Sequence, residues 1–213
     1  MKRTLLDMTQ SILRDMGSDP ADTITATTES ERVANIIRNA YFDLMSEREW
    51  RHLYRLVSLQ SVVDPVNNPT TLAMPTGSRN IEWIKHNKQQ EAGDIQRYSD
   101  VIYLTPEEFL DRTNMRDETS PNVTMYNDPI NNTSLKLRTD VPPVCYTTFD
   151  EIHIVFDSFV SSLHTSILPS DTLCKASMDV VFDLTDSSIA SMPQQFFPVL
   201  LNIAKVEAFQ VIK

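Results

Sequence analysis

The chain has 213 residues, 41% of them hydrophobic and 23% charged, with a net charge of −10. That is a globular composition, long enough for one large domain or two small ones with a buried core. So acidic a balance argues against a nucleic-acid grip, because phosphates attract Lys- and Arg-rich surfaces and repel carboxylates.

The opening MKRTLLDMTQ carries two basic residues, but Asp7 and Gln10 interrupt any apolar core of signal-peptide length. The protein is therefore expected to stay in the cytoplasm of the cell that makes it. A first helix is predicted over 5–16. Leu5, Met8, Ile12, Leu13 and Met16 share one face, and Arg3, Asp7, Gln10 and Arg14 oppose it. Gly17 fits the position just past its end. After the polar connector SDPADTITATT, Thr28-x-x-Glu31 reads as the capping box of a second helix. Its apolar stripe is Val33, Ile36, Ile37, Ala40, Tyr41 and Leu44. At about 100° per residue, Phe42 and Trp50 point away from that stripe, beside Ser46 and Glu49. Two readings stand: a neighbouring element of the same chain covers these aromatics, or they form a contact surface for another subunit. Arg48, Arg51, His52 and Arg55 gather around Trp50. Glu47 and Glu49 weaken a base-stacking or phosphate-binding reading of that cluster, and a junction between the helices and the β-rich lobe, with the arginines pairing to acids of a neighbouring surface, fits it better.

The pattern then becomes β-like. Residues 53–63 place Val57, Leu59 and Val63 on alternate positions, before Asp64-Pro65 and Asn68-Pro69 break the run. Strands are predicted at 80–85 and 101–104. Thr105-Pro106-Glu107-Glu108 is a strong helix start, and a short helix over 106–113 follows, anchored by Phe109 and Leu110. Residues 114–133 are polar and rich in Asn, Asp and Thr. They read as a mobile loop or a partner-contacting arm, with Met115, Arg116, Tyr126 and Ile130 as contact candidates. Further strands are predicted at 134–138, 144–148, 151–157 and 172–184. The TFDE link suggests a tight hairpin, and 158–171 a Ser-rich loop. Ile152, Ile154 and Phe156 alternate with His153 and Val155. Cys145 and Cys174, the only cysteines, read as buried thiols.

The chain closes on SMPQQFFPVLLNIAKVEAFQVIK. Ser191-x-x-Gln194 reads as a capping box, and Pro198 puts the start of regular helix near Gln195 or later. Phe196, Phe197, Leu200, Leu201, Ile203, Ala204, Ala208, Val211 and Ile212 cover about half the circumference. Val199, Val206 and Phe209 spill onto the rest, while Glu207 and Gln210 fall close in angle to Ile203, within the expected core. A helix this apolar must be surrounded. The first two helices can cover a side each, and the remainder falls to β segments or to another copy of the protein. Phe42, Ser46, Trp50, Val206 and Phe209 are thus the subunit-interface candidates. No cap or breaker closes the helix, so it is expected to continue in a longer chain. No segment approaches the roughly 18 apolar residues of a membrane span.

The expected fold class is α+β. Residues 1–52 and 191–213 would form an antiparallel helical bundle, and 53–190 a β-rich insertion lobe. Little points to catalysis. Three glycines exclude a glycine-rich phosphate cradle. His52, His86, His153 and His164 are scattered without metal-ligand spacing, and no CxxC or G-x-S-x-G occurs. Glu107-Glu108 suits a helix's first turn, and Asp150-Glu151 suits a tight turn. No catalytic residue, cofactor or metal is expected.

Four stretches, in this order and spacing, carry a family likeness: ESERVANIIRNAYFDLMSEREWRHL, IYLTPEEFLDRTN, YTTFDEIHIVFDSF and FFPVLLNIAKVEAF. Through them the chain resembles the head-to-tail adaptor proteins of short-tailed bacteriophages, the tail tubular A type of connector. The resemblance spans most of the chain and lies in order and spacing rather than in catalytic residues. It implies a virion structural protein of the neck, assembled in the host cytoplasm as a homo-oligomeric ring of twelve. It also implies a portal protein on one side and a downstream tail (nozzle) protein on the other. DNA would pass through the lumen during ejection without specific binding, and no membrane would be touched. The helical bundle would build the ring and the β-lobe would face the periphery or the next tail component. Two alternatives stand beside it: a β-lobe that recognises a tail protein or a surface glycan, and an acid-dependent cell-wall hydrolase.

Overall fold

The computed structural model describes residues 2–88, 95, 97–128 and 133–212. Among them the chain is α+β, with helices α1 (Leu5–Met16), α2 (Thr28–Ser46), α3 (Pro106–Asn114) and α4 (Phe197–Val211). It divides into two units: Met1–Leu53 with Asp179–Lys213, and Tyr54–Met178.

In the first unit, α1 starts at a reciprocal cap. The Thr4 hydroxyl accepts from the Asp7 N–H at 3.1 Å, and the Asp7 carboxylate accepts from the Thr4 N–H at 3.2 Å. Gly17 ends it at φ 73, a left-handed geometry in which a side chain would be strained, and donates to the Arg14 carbonyl. The cap of α2 lies one residue before the expected one. Thr27 is extended and exchanges two 3.0 Å hydrogen bonds with Ser30, while Thr28 is already helical and Glu31 is exposed. The apolar faces of α1, α2 and α4 meet in one core around Met8, Ile37, Tyr41, Leu200 and Ala204, all fully buried.

The segment before α4 belongs to that same core. Phe182 is buried edge-on to Tyr41, with ring centroids 5.0 Å apart. The Leu5 N–H donates to the Ser188 carbonyl and the Ile24 N–H to the Asp186 carboxylate, each at 2.8 Å. The strand expected over 172–184 therefore ends at Met178, and the boundary falls there rather than near 190. Val180, Val181 and Phe182 look strand-like in sequence, but the Phe182 ring is spent on the helices. The Ser191/Gln194 cap does not form either. A 3-10 turn at Gln194–Phe196 leads into α4, which has no side-chain cap, and Pro198 sits in its first turn, where no N–H is needed.

The second unit is built on strands β1 (Tyr54–Val57), β2 (Gln60–Ser61), β3 (Thr71–Ala73), β4 (Ser78–Asn87), β5 (Tyr98–Tyr103), β6 (Val123–Asp128), β7 (Thr133–Arg138), β8 (Cys145–Thr147), β9 (His153–Phe156) and β10 (Thr172–Met178). Eight of them form one sheet in the order β1-β10-β4-β5-β8-β9-β3-β2, all neighbours antiparallel except β5 and β8. β1 and β2 stand at opposite ends of that order, yet only Ser58 and Leu59 separate them in the chain. One short run of backbone thus serves both edges, and the sheet curls round an apolar core of Leu59, Leu72, Ile84, Val101, Ile154 and Phe156.

The other face of the curl is covered as well. Side chains alternate across a strand, so Cys145 and Val155 point away from that core. They meet Phe109 of α3 and Leu135 and Leu137 of β7 in a second cluster. Two-sided cover explains why Ile154, Val155 and Phe156 are all buried, where the sequence suggested a half-exposed alternation. Ile152 and Val63, expected on buried strand faces, are exposed. Residues 123–128, expected as loop or arm, pair in full register with β7, from Val123↔Arg138 to Asp128↔Thr133. The helix start at Thr105 forms as expected: its hydroxyl accepts from the Glu108 N–H, and the Glu108 carboxylate accepts in return, which holds that carboxyl below the usual carboxylate range.

Candidate assembly surface

The site residues predicted from sequence divide sharply once they are placed. On α4, Phe197, Leu200, Leu201, Ala204 and Ala208 face inward and are buried. Val199, Ile203, Val206 and Phe209 face outward, with Val206 60% exposed and Phe209 41% exposed. Ile203 was expected in the core. It turns outward instead, and this removes the puzzle of Glu207 and Gln210 lying close to it in angle. The outward residues have a regular spacing. Val199 and Val206 lie seven apart, as do Asn202 and Phe209, and the two pairs interleave as the a and d positions of a heptad. That is the spacing of a helix-on-helix seam. The helix carries only Lys205 and Glu207 as charges, and Lys205 is already ion-paired with Asp15 of α1. Beside the start of α4 a cleft of about 190 Å³ opens between Arg3, Phe197, Pro198 and Leu201, large enough to receive a side chain from outside.

On α2 the outcome is mixed. Ser46 is exposed, with its hydroxyl donating to the Asp43 carbonyl at 2.8 Å. Phe42 is half-buried against the core, and the Arg38 guanidinium lies over its ring at 5.4 Å. Trp50 is not available to another subunit. Its indole N–H donates to the Leu44 carbonyl at 3.3 Å, its ring stands edge-on to Phe196 at 4.8 Å, and the Arg48 guanidinium covers it at 4.0 Å. With Trp50 only 5% exposed, the cover comes from the same chain. His52 is engaged too, its ring nitrogen 2.8 Å from the Ser191 carbonyl oxygen.

The arm candidates also separate. Met115, 86% exposed, remains on the surface. Arg116 is an internal strut. Its guanidinium pairs with the Asp157 carboxylate at 2.6 Å and donates to the Lys136 carbonyl at 2.9 Å. The other Asp157 oxygen accepts from the Val144 and Cys145 N–H groups. One ion pair thus ties the end of α3 to β7 and to the β8–β9 pair. Tyr126 packs its ring edge toward Phe159 at 6.3 Å and is half-buried. Ile130 lies outside the described residues. Sequence offered no signal for the Arg116–Asp157 pair, because its members are far apart in the chain.

Among the described residues, no three His, Cys, Asp or Glu side chains converge as metal ligands would. Burial pushes the Cys145 and Cys174 thiols up to about 12, so neither supplies a thiolate near neutral pH. His86 is buried, and burial lowers its pKa below the ordinary histidine value, with the Asp171 charge acting in the opposite direction. Among the described residues no helix is long and apolar enough to cross a membrane.

No family model matches the chain, and no curated protein sequence matches it.

Proposed function

We propose that this chain is a non-catalytic structural adaptor of a phage neck, a subunit of a ring that joins the portal to the tail. In this reading the N- and C-terminal helices form an antiparallel bundle that builds the ring. The β-rich unit faces the periphery or the downstream tail protein. DNA passes through the lumen during ejection without being gripped, as a net charge of −10 per copy would favour.

The observation that carries the reading is the outward face of α4. Val199, Ile203, Val206 and Phe209 present apolar surface, three of them (Val199, Val206 and Phe209) at the a and d positions of a heptad, while the opposite face of the same helix fills the core of its own unit. A second copy of the chain is the occupant this spacing suits, because a heptad stripe is satisfied by another helix. Isolated surface hydrophobics are ordinary, but an aligned row of them on an almost uncharged helix is a contact surface.

The test is assembly. Light scattering and negative-stain imaging of the purified chain, alone and mixed with the portal protein of the phage that encodes it, should show a closed ring in at least the mixture. A chain that stays monomeric under both conditions refutes the proposal.

A further inference from the structure

A groove of about 680 Å³ opens in the second unit. Its lining comes from the start of β4, the last residue of β5, β8 and β9 with the turn between them, and the residue after β3. These are neighbouring strand ends, so the groove is a mouth of the curled sheet, a usual position for a small-molecule site. Its volume is in the range of such sites.

The chemistry of the mouth is mixed in a particular way. Its floor is apolar, made by Ile154, Ile81, Met74 and the ring of Tyr146. On one wall stands Tyr103, 49% exposed, its ring held by an edge contact to Tyr146 with centroids 5.5 Å apart. Arg79, Glu82 and Glu151 supply charged groups. Glu82 is neutralised by Lys175 at 2.6 Å. The Thr148 hydroxyl is buried beside the groove and has no hydrogen-bond partner among the described residues. Glu151 holds φ 61, a left-handed conformation uncommon for a residue with a side chain. Local strain of that kind gathers at ligand sites.

We propose that this mouth binds a neutral oligosaccharide, with one sugar ring against Tyr103 and its hydroxyls shared between Arg79 and Glu151. Sugar hydroxyls donate and accept at once, so they suit a lining that mixes a guanidinium and a carboxylate. The C–H face of a sugar ring suits a half-exposed aromatic platform. A phosphate or polyanion is disfavoured, because one arginine stands against two carboxylates, of which Lys175 compensates only one. An acyl chain is disfavoured by the polar rim. The proposal does not depend on ring assembly, since every residue it uses lies in the second unit.

The test titrates the full-length chain with cellohexaose, maltohexaose and chitohexaose, following the methyl NMR signals of Met74, Ile81 and Ile154. At least one saccharide should shift these signals saturably. Tyr103→Ala should weaken that binding by about tenfold or more. Glu151→Gly should weaken it several-fold while leaving the thermal midpoint unchanged or raised, because glycine adopts the left-handed turn without strain. The second variant keeps the test decisive if the first disturbs folding. The proposal is overturned if none of the three saccharides shifts the methyls. Undiminished binding in both variants overturns it too, as does a heparin hexasaccharide binding more tightly than the neutral probes. New reducing ends would make the mouth a hydrolytic site and likewise overturn a purely binding role.

Discussion

Val206→Glu separates packing within one chain from packing between chains. Val206 keeps 60% of its surface exposed. A single copy therefore loses only the buried remainder, about 1 kcal/mol given the ~2 kcal/mol of a fully buried valine. Glutamate's better helix propensity offsets a few tenths of that. In a helix-on-helix seam the same carboxylate would be buried without a partner, at a cost of several kcal/mol. Each ~1.4 kcal/mol is tenfold in an association constant, so assembly should weaken by about a hundredfold or more. Sedimentation velocity over a dilution series, with the portal present where assembly needs it, reads the association. Urea unfolding of the single chain reads the stability. Ala204→Glu is the control: Ala204 is fully buried on the opposite face of α4, so that variant should unfold the helical unit itself. Added salt should strengthen wild-type association, because it screens repulsion between copies of net charge −10. Unimpaired assembly of the Val206→Glu variant refutes the assignment of this face.

Arg116→Met leaves the Asp157 carboxylate, 4% exposed, without its cation. It should destabilise the second unit by about 3–5 kcal/mol in urea unfolding, and a loss near zero would show that the pair is not a strut. Thr27→Ala should cost about 1 kcal/mol and Thr28→Ala much less, since only Thr27 caps α2; thermal melts that reverse this order would return the cap to Thr28. His86 has its folded pKa lowered, so it contributes stability above the unfolded value of about 6.5 that is lost as pH falls toward the folded value. The slope it adds cannot exceed about 1.4 kcal/mol per pH unit, and His86→Gln should remove it from a series of urea titrations between pH 4 and 8.

The helices were largely legible because their information is local. Apolar residues at helical spacing, Gly17 after α1 and the Thr105–Glu108 cap all act within a few residues. Even the error at α2 was a single position, where two adjacent threonines both suit a cap and Ser30 decided between them. The strands were harder. β3 is a three-residue strand whose Leu72 is buried by its neighbours in the sheet rather than by any pattern of its own. β6 is rich in Asn, Asp and Thr and largely exposed, so it carries no alternation to read; β7 holds it in place. At the candidate surface, the apolar excess on α4 was visible at once, but which half faced inward was not, because both halves are apolar. The choice between the two readings of Trp50, and the role of Arg116, are not legible for a shared reason: Phe196 and Asp157, which occupy them, are remote in sequence.

The way the chain threads its two units constrains the order in which they can be completed. Tyr54 pairs with Ser177, so the strands that open and close the second unit lie side by side. That unit has its whole sequence once residue 178 has been synthesised. The first cannot close until α4 emerges, and meanwhile α1 and α2 carry their greasy faces unprotected while the intervening β segment is made. Newborn chains should therefore be most vulnerable to clumping, and most in need of a chaperone, through the middle of translation. A version with α4 moved ahead of α1 should escape that delay.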